Sequence, residues 1–131
     1  MKVLIVGGGG REHAIAAKIA ENKAVEKLYA APGNGGMASI CECVNVKATD
    51  LDGLVALAQE KQVDYVVVAP DDPLCMGLVD HLAEVGIPAF GPKKNAAVIE
   101  GSKAFAKDLM KKYGIPTADY EVFTDAEKAI A

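Results

Sequence analysis

Short, unbroken apolar runs alternate along the chain with longer stretches whose apolar residues recur every three or four positions. Val3 to Val6 is the first run and ends at Gly7. Lys27 to Ala31 and Tyr65 to Ala69 are similar, and each leads into a proline, Pro32 and Pro70. Continuous apolarity, rather than alternation, suits strands buried on both faces of a parallel sheet. Ile87 to Phe90 is shorter and contains Pro88, which cannot donate to a ladder, so it predicts a weak or edge strand.

The intervening stretches read as helices. Arg11 to Asn22 carries Ile15 and Ile19 four apart, and Asp50 to Lys61 places Leu51, Leu54, Val55 and Ala58 on one face behind Thr49 or Asp50 as a cap. Leu74 to Val85 aligns Leu74, Leu78, Leu82 and Val85 on one stripe and stops at Gly86. Ser102 to Tyr113 carries Phe105, Leu109 and Tyr113, with Lys111 and Lys112 in its last turn and Gly114 and Pro116 beyond, a full set of stop signals. The order β-α-β-(short)-α-β-α-β predicts an α/β fold, a Rossmann-like doubly wound parallel sheet with helices on both faces. After Pro92 the rhythm changes, which divides the chain into an expected sheet domain, residues 1–92, and a linker helix with the beginning of another domain, residues 93–131. A last apolar run, Tyr120 to Phe123, precedes a helix start near Thr124 or Asp125 with no stop signal after it, so the chain reads as the front of a longer protein.

Composition narrows the function classes. With 131 residues there is room for about one domain at the usual ~150 residues each, and 51% apolar content is enough to fill its core. Fourteen Lys plus Arg against eighteen Asp plus Glu gives a formal charge of −4. No Lys/Arg cluster exceeds two residues, which argues against nucleic-acid or anionic-membrane surfaces as partners. Cys41, Cys43 and Cys75 form neither an even set nor a C-x-x-C pair, so buried, reduced thiols in a cytoplasmic protein are expected. The N-terminal apolar run is too short for a signal-peptide core.

The chemistry concentrates in Val6-Gly7-Gly8-Gly9-Gly10-Arg11-Glu12-His13, where four glycines follow a strand and open a helix. Glycine lets a ligand approach the backbone without a Cβ in the way, and the free N–H groups of a helix start favour an anion. The dinucleotide fingerprint G-x-G-x-x-G fails in both registers, because Glu12 or His13 stands where the third glycine belongs. The acidic residue expected about 20 positions further on is also missing. Three more loops should lie at the same sheet edge: Ala31-Pro32-Gly33-Asn34-Gly35-Gly36, Ala69-Pro70-Asp71-Asp72-Pro73-Leu74 and Phe90-Gly91-Pro92. In the second, Asp72 is expected to cap the next helix with Pro73 at its first position, and Asp71 to face a ligand. His13 is as well suited to capping or packing as to chemistry, and His81 falls off the apolar stripe of its helix. No spacing suggests a metal site or a catalytic nucleophile, so no catalytic residue is assigned.

Taken together, V-G-G-G-G-R-E-H-A, A-P-G-N-G-G, P-D-D-P-L, F-G-P and E-G-S-K-A-F-A-K-D-L-M-K-K-Y-G-I-P-T-A, in this order, resemble the front of the phosphoribosylamine–glycine ligase (glycinamide ribonucleotide synthetase) family from Met1 to about Phe123. The resemblance implies an ATP-grasp ligase of de novo purine synthesis, with ATP, glycine and 5-phosphoribosylamine as substrates and Mg²⁺ or Mn²⁺ serving the phosphates. It implies that a pre-ATP-grasp substrate-side domain holds the ribose phosphate through Gly9, Gly10, Arg11 and Glu12, with Asp71 alongside. Lys103, in the G-S-K motif, resembles the lysine that ATP-grasp enzymes bring to nucleotide phosphates. The family's usual Gly-Pro-Glu stands here as Ala69-Pro70-Asp71, a carboxylate one methylene shorter. This chain alone is expected to be inactive, to hold no cofactor firmly, and to be open to self-association through residues 93–131. The competing reading is a free-standing Rossmann-like nucleotide- or partner-binding module.

Overall fold

The computed structural model describes residues 1–130 and divides into two compact units, Met1–Ala97 and the residues from Val98 onward. In the first unit the elements run β1 (Lys2–Gly7), α1 (Gly10–Ala20), β2 (Lys27–Pro32), a 3-10 turn (Met37–Ser39), β3 (Glu42–Cys43), α2 (Leu51–Glu60), β4 (Tyr65–Val68), α3 (Asp71–Met76), α4 (Leu78–Glu84) and β5 (Ala89–Phe90). Helix α5 (Lys94–Gly101) follows. All ladders are parallel, and the strand order is β3-β2-β1-β4-β5. The chain therefore winds outward from β1 to β3, crosses back, and winds outward again from β4. The switch point lies between β1 and β4, where open α/β sheets hold ligands.

The apolar runs are continuous because both sheet faces are covered. Leu4, Val6, Tyr29, Ala31, Val66 and Val68 face α2, α3 and α4, burying Leu54, Leu57, Leu78 and Leu82. Val3, Ile5, Leu28, Ala30 and Val67 face the opposite side, against Ala16, Ile15 and Ile19 of α1 and Met37 of the 3-10 turn. Successive residues of one strand thus alternate between two buried layers, as the pleat demands. The register aligns Gly7 with Pro32 and Val6 with Val68, so the loops after β1, β2 and β4 leave the sheet at one edge. The proline-containing run forms the two-residue edge strand β5, and the Pro88 carbonyl accepts the Val66 N–H at 3.0 Å. Among the described residues, no helix is long and apolar enough to cross a membrane.

Three expectations are corrected. The stretch from Leu74 to Val85 is two helices, not one. Gly77 takes φ +103° and its N–H closes α3 onto the Pro73 and Leu74 carbonyls, both at 3.1 Å. Leu74, Leu78 and Leu82 stay buried across the break, but Val85, past the end of α4, is 41% exposed. Asp72 does not cap α3: the helix begins one residue early, with Pro70 at the cap and both aspartates exposed in the first turn. A proline cannot cap with a side-chain oxygen, so α3 starts without that bond. The cysteines are not buried either, since Cys43 is exposed and Cys41 and Cys75 are half-buried.

In the second unit, Ser102 caps α6 (Lys103–Lys112) by accepting the Phe105 N–H at 3.3 Å, and Gly114 takes φ +66° beyond the helix end. Lys107 then donates to the Thr117 hydroxyl at 2.6 Å and the Ala118 carbonyl at 3.0 Å. The Tyr120 hydroxyl donates to Asp108 at 2.7 Å, which folds the following segment onto α6. Residues 121–123 have no regular structure, and Asp125 accepts the Glu127 N–H at 2.9 Å at the start of α7 (Ala126–Ile130).

Candidate substrate site at the sheet switch point

The first two glycines of the run are required by packing. Gly7 takes φ +114°, and a Cβ there would lie 2.7 Å from Glu12 Cγ and 2.8 Å from Pro70 Cγ. Gly8 sits against the Gly33 carbonyl, where a Cβ would collide. The loop is tied to its neighbour by the Gly33 N–H, which donates to the Gly7 carbonyl at 3.1 Å, and by the Asn34 amide, which donates to the Gly8 carbonyl at 2.9 Å. Asn34 also accepts the Met37 N–H at 2.9 Å, so one side chain links the loops after β1 and β2 to the 3-10 turn. His13 packs against Gly36, the packing role among those its sequence position left open.

The last two glycines differ: a Cβ on Gly9 would lie 2.6 Å from the Glu12 carboxylate Oε2, whereas Gly10 faces open space. Gly9 and Gly10 are exposed, and a Cβ on Gly10 would meet nothing within 4 Å. They form an open edge at the start of α1, where the helix presents N–H groups and the positive end of its dipole.

Glu12 is buried at 4% exposure and holds this edge in place. One carboxylate oxygen accepts the Gly9 N–H at 2.7 Å and the other accepts Arg11 Nε at 2.9 Å. This is half of a capping box, because Gly9 has no side chain with which to return the bond. Burial pushes the Glu12 carboxyl up, but the hydrogen bonds from Arg11 and Gly9 outweigh it and hold the group below its ordinary range. Arg11 is thereby tethered through Nε while its side chain stays 63% exposed.

Arg11 also reaches the rim of an apolar cleft of about 550 Å³ that includes Ile15, Tyr65, Leu74, Phe90 and Pro92 in its lining. Phe90 is 64% exposed there. The third loop contributes through Pro70, whose ring touches Gly7, and Asp71 follows as the first residue of α3. The structure thus gathers Gly9, Gly10, Arg11 and Glu12 at the start of α1, with Asp71 at the start of α3. Lys103 is exposed at the first position of α6, in the second unit. Sequence reasoning gave no role to Asn34 or Pro70. An Asn within a glycine-rich turn signals a side chain that bonds nearby backbone, but not that the backbone belongs to the loop after β1. Among the described residues, no group of three or more His, Cys, Asp or Glu side chains is placed to hold a metal.

The fold is thus of the doubly wound α/β class, with a glycine loop at the sheet's switch point. Residues 1–100 match the family described as phosphoribosylglycinamide synthetase, N domain, and residues 101–131 match the ATP-grasp (A) domain of the same synthetase. The whole chain is 53% identical to phosphoribosylamine–glycine ligase of Allochromatium vinosum, and 98% of it is 55% identical to that of Caulobacter vibrioides. The chain spans 31% and 30% of those relatives' lengths. The crystal structure of phosphoribosylamine–glycine ligase from Thermotoga maritima superimposes with a TM-score of 0.64 at 31% identity, over 92% of this chain and 27% of that one. N5-carboxyaminoimidazole ribonucleotide synthetase from the same organism shares the fold, with a TM-score of 0.69 at 20% identity over 98% of this chain and 35% of that one. The chain belongs to the phosphoribosylamine–glycine ligase family, and what it matches is the family's N domain and the beginning of its ATP-grasp domain.

Proposed function

We propose that this chain is the substrate-side portion of an enzyme that joins glycine to 5-phosphoribosylamine, giving glycinamide ribonucleotide, ADP and phosphate. ATP phosphorylates the glycine carboxylate; the amine of phosphoribosylamine then attacks the acyl phosphate and phosphate leaves. Residues 1–92 form the substrate-side domain in this reading, and residues 93–131 begin the ATP-grasp domain. The observation that carries the assignment is the open Gly9–Gly10 edge beside the tethered Arg11, at the switch point of a sheet from this family. The Gly10 N–H and the Arg11 guanidinium hold the substrate phosphate, Gly9, its own N–H engaged by Glu12, leaves room for it, and Asp71 holds a ribose hydroxyl or the amine.

Glu12 acts through the loop: both its oxygens are engaged by Gly9 and Arg11, so it sets the geometry in which they meet the phosphate. Lys103 serves the ATP phosphates. The described residues contain no cluster suited to Mg²⁺ or Mn²⁺, so no residue of this chain is assigned to the metal. The segment by itself does not turn over, and its setting is the cytoplasm.

Calorimetric titration of the full-length protein with the product glycinamide ribonucleotide tests the site. Loss of one charge-assisted contact, worth about 1.5–3 kcal/mol, weakens binding by roughly ten- to a hundredfold in Arg11→Ala. Unchanged affinity in that variant overturns the assignment.

A further inference from the structure

Two thiols stand close together beside the glycine loops, and the proposed ligase chemistry uses neither. Cys41 lies two residues past the 3-10 turn, where its thiol donates to the Met37 carbonyl at 3.1 Å. Cys43 lies two residues on in β3, an edge strand only two residues long and paired on one side alone. The Cys43 sulfur packs against Gly33, where an added Cβ would collide with it, and lies 3.8 Å from the Asn34 carbonyl. Gly33 and Asn34 are the two residues that tie the loop after β2 to Gly7 and Gly8.

We propose that Cys41 and Cys43 form a modifiable dithiol that closes to an intrachain disulfide by exchange with a low-molecular-weight disulfide, and that closure withdraws Cys43 from Gly33 and loosens the hold on the β1 loop. Residues two apart in extended chain have Cα atoms roughly 6.6 Å apart, inside the upper limit of about 6.8 Å for a disulfide. The short edge strand can give the remaining adjustment at the cost of few ladder bonds.

The exposed Cys43 is the attacking group. Its thiolate displaces one thiolate from the small disulfide and forms a mixed disulfide. The Cys41 thiolate then attacks the Cys43 sulfur and expels the second small thiolate. The two protons lost by the cysteines end on the two small thiols released, so the cysteine pair is oxidised and the small disulfide is reduced. Burial, together with the neighbouring Cys43, pushes the Cys41 thiol up to about 11. Capping Cys43 removes its share of that push, which favours the second step once the first has occurred. A groove of about 380 Å³ beside Cys41, bordered by Lys27, Ile40 and Glu42, gives room for the leaving thiol.

The inference stands apart from the ligase reading and is tested on the full-length protein with oxidised glutathione as the probe. After alkylation of remaining thiols and digestion at lysines, the peptide 28–47 is expected two hydrogens lighter and unalkylated. In Cys41→Ser the same peptide should retain one glutathione. Hydrogen exchange at the Gly33 amide, bonded to Gly7 in the reduced protein, should quicken by roughly tenfold on oxidation. Two alkylated thiols, a wild-type protein arrested at the glutathione adduct, or a link from Cys43 to Cys75 would overturn the dithiol. Closure with unchanged exchange at Gly33 would overturn its coupling to the loop.

Discussion

The carboxylate of Glu12 reaches back three residues to the N–H of Gly9 at 2.7 Å, and its other oxygen holds Arg11 Nε at 2.9 Å. A buried anion thus fixes both ends of the open edge on which the proposed substrate phosphate rests. The bond to Gly9 satisfies a backbone donor at the helix start, and the bond to Arg11 restrains a long cation before any ligand arrives.

Removing that clamp should cost stability as well as binding. Glu12→Ala is expected to lower unfolding free energy by about 1–2 kcal/mol, the range of a lost cap with a charge-assisted bond. Denaturant titration measures it; a variant as stable as wild type contradicts the clamp.

The same bonds predict a pH dependence. The folded-state pKa of Glu12 lies below its ordinary value of 4.5, because hydrogen bonds from Arg11 and Gly9 outweigh the opposing effect of burial. A depressed folded pKa means the stabilisation is fully present above the unfolded value and is lost as pH falls through the folded one. The stability gap between wild type and Glu12→Gln should therefore be constant near neutrality and shrink on acidification below about pH 4.5. A gap that widens in acid contradicts the assignment.

Two glycines of the same run should respond unequally to one methyl group. Gly7→Ala places a Cβ 2.7 Å from Glu12 Cγ at φ +114°, combining left-handed strain with overpacking, and should cost about 2–4 kcal/mol. Gly10→Ala meets nothing within 4 Å at the first position of a helix and should change stability by no more than about 0.5 kcal/mol. Thermal or denaturant unfolding of the pair decides this, and equal losses would mean the run serves packing throughout.

The parts of the fold legible in sequence are those set by local periodicity. Val3 to Val6 reads as a doubly buried strand because both neighbouring layers need apolar side chains at successive positions. The break at Gly77 was not legible: Leu74, Leu78 and Leu82 keep one buried face through it, so the stripe looks the same with or without the interruption. Strand β3 carries no apolar signature, since Glu42 and Cys43 pair at an exposed edge. At the site, the glycine run marked a strand-to-helix turn with an open edge, which the structure has at Gly9 and Gly10. The burial of Glu12, the touch of Pro70 on Gly7 and the Asn34 bond to Gly8 depend on segments distant in sequence, which local patterning does not encode.

The most direct measurement is a backbone amide NMR titration of the full-length protein with glycinamide ribonucleotide. The account predicts the largest shifts at Gly9, Gly10 and Arg11, with Asp71 following and the Gly33 amide little changed. Shifts confined to other elements, or saturable binding that leaves Gly9, Gly10 and Arg11 unmoved, would contradict the placement of the substrate phosphate on this edge.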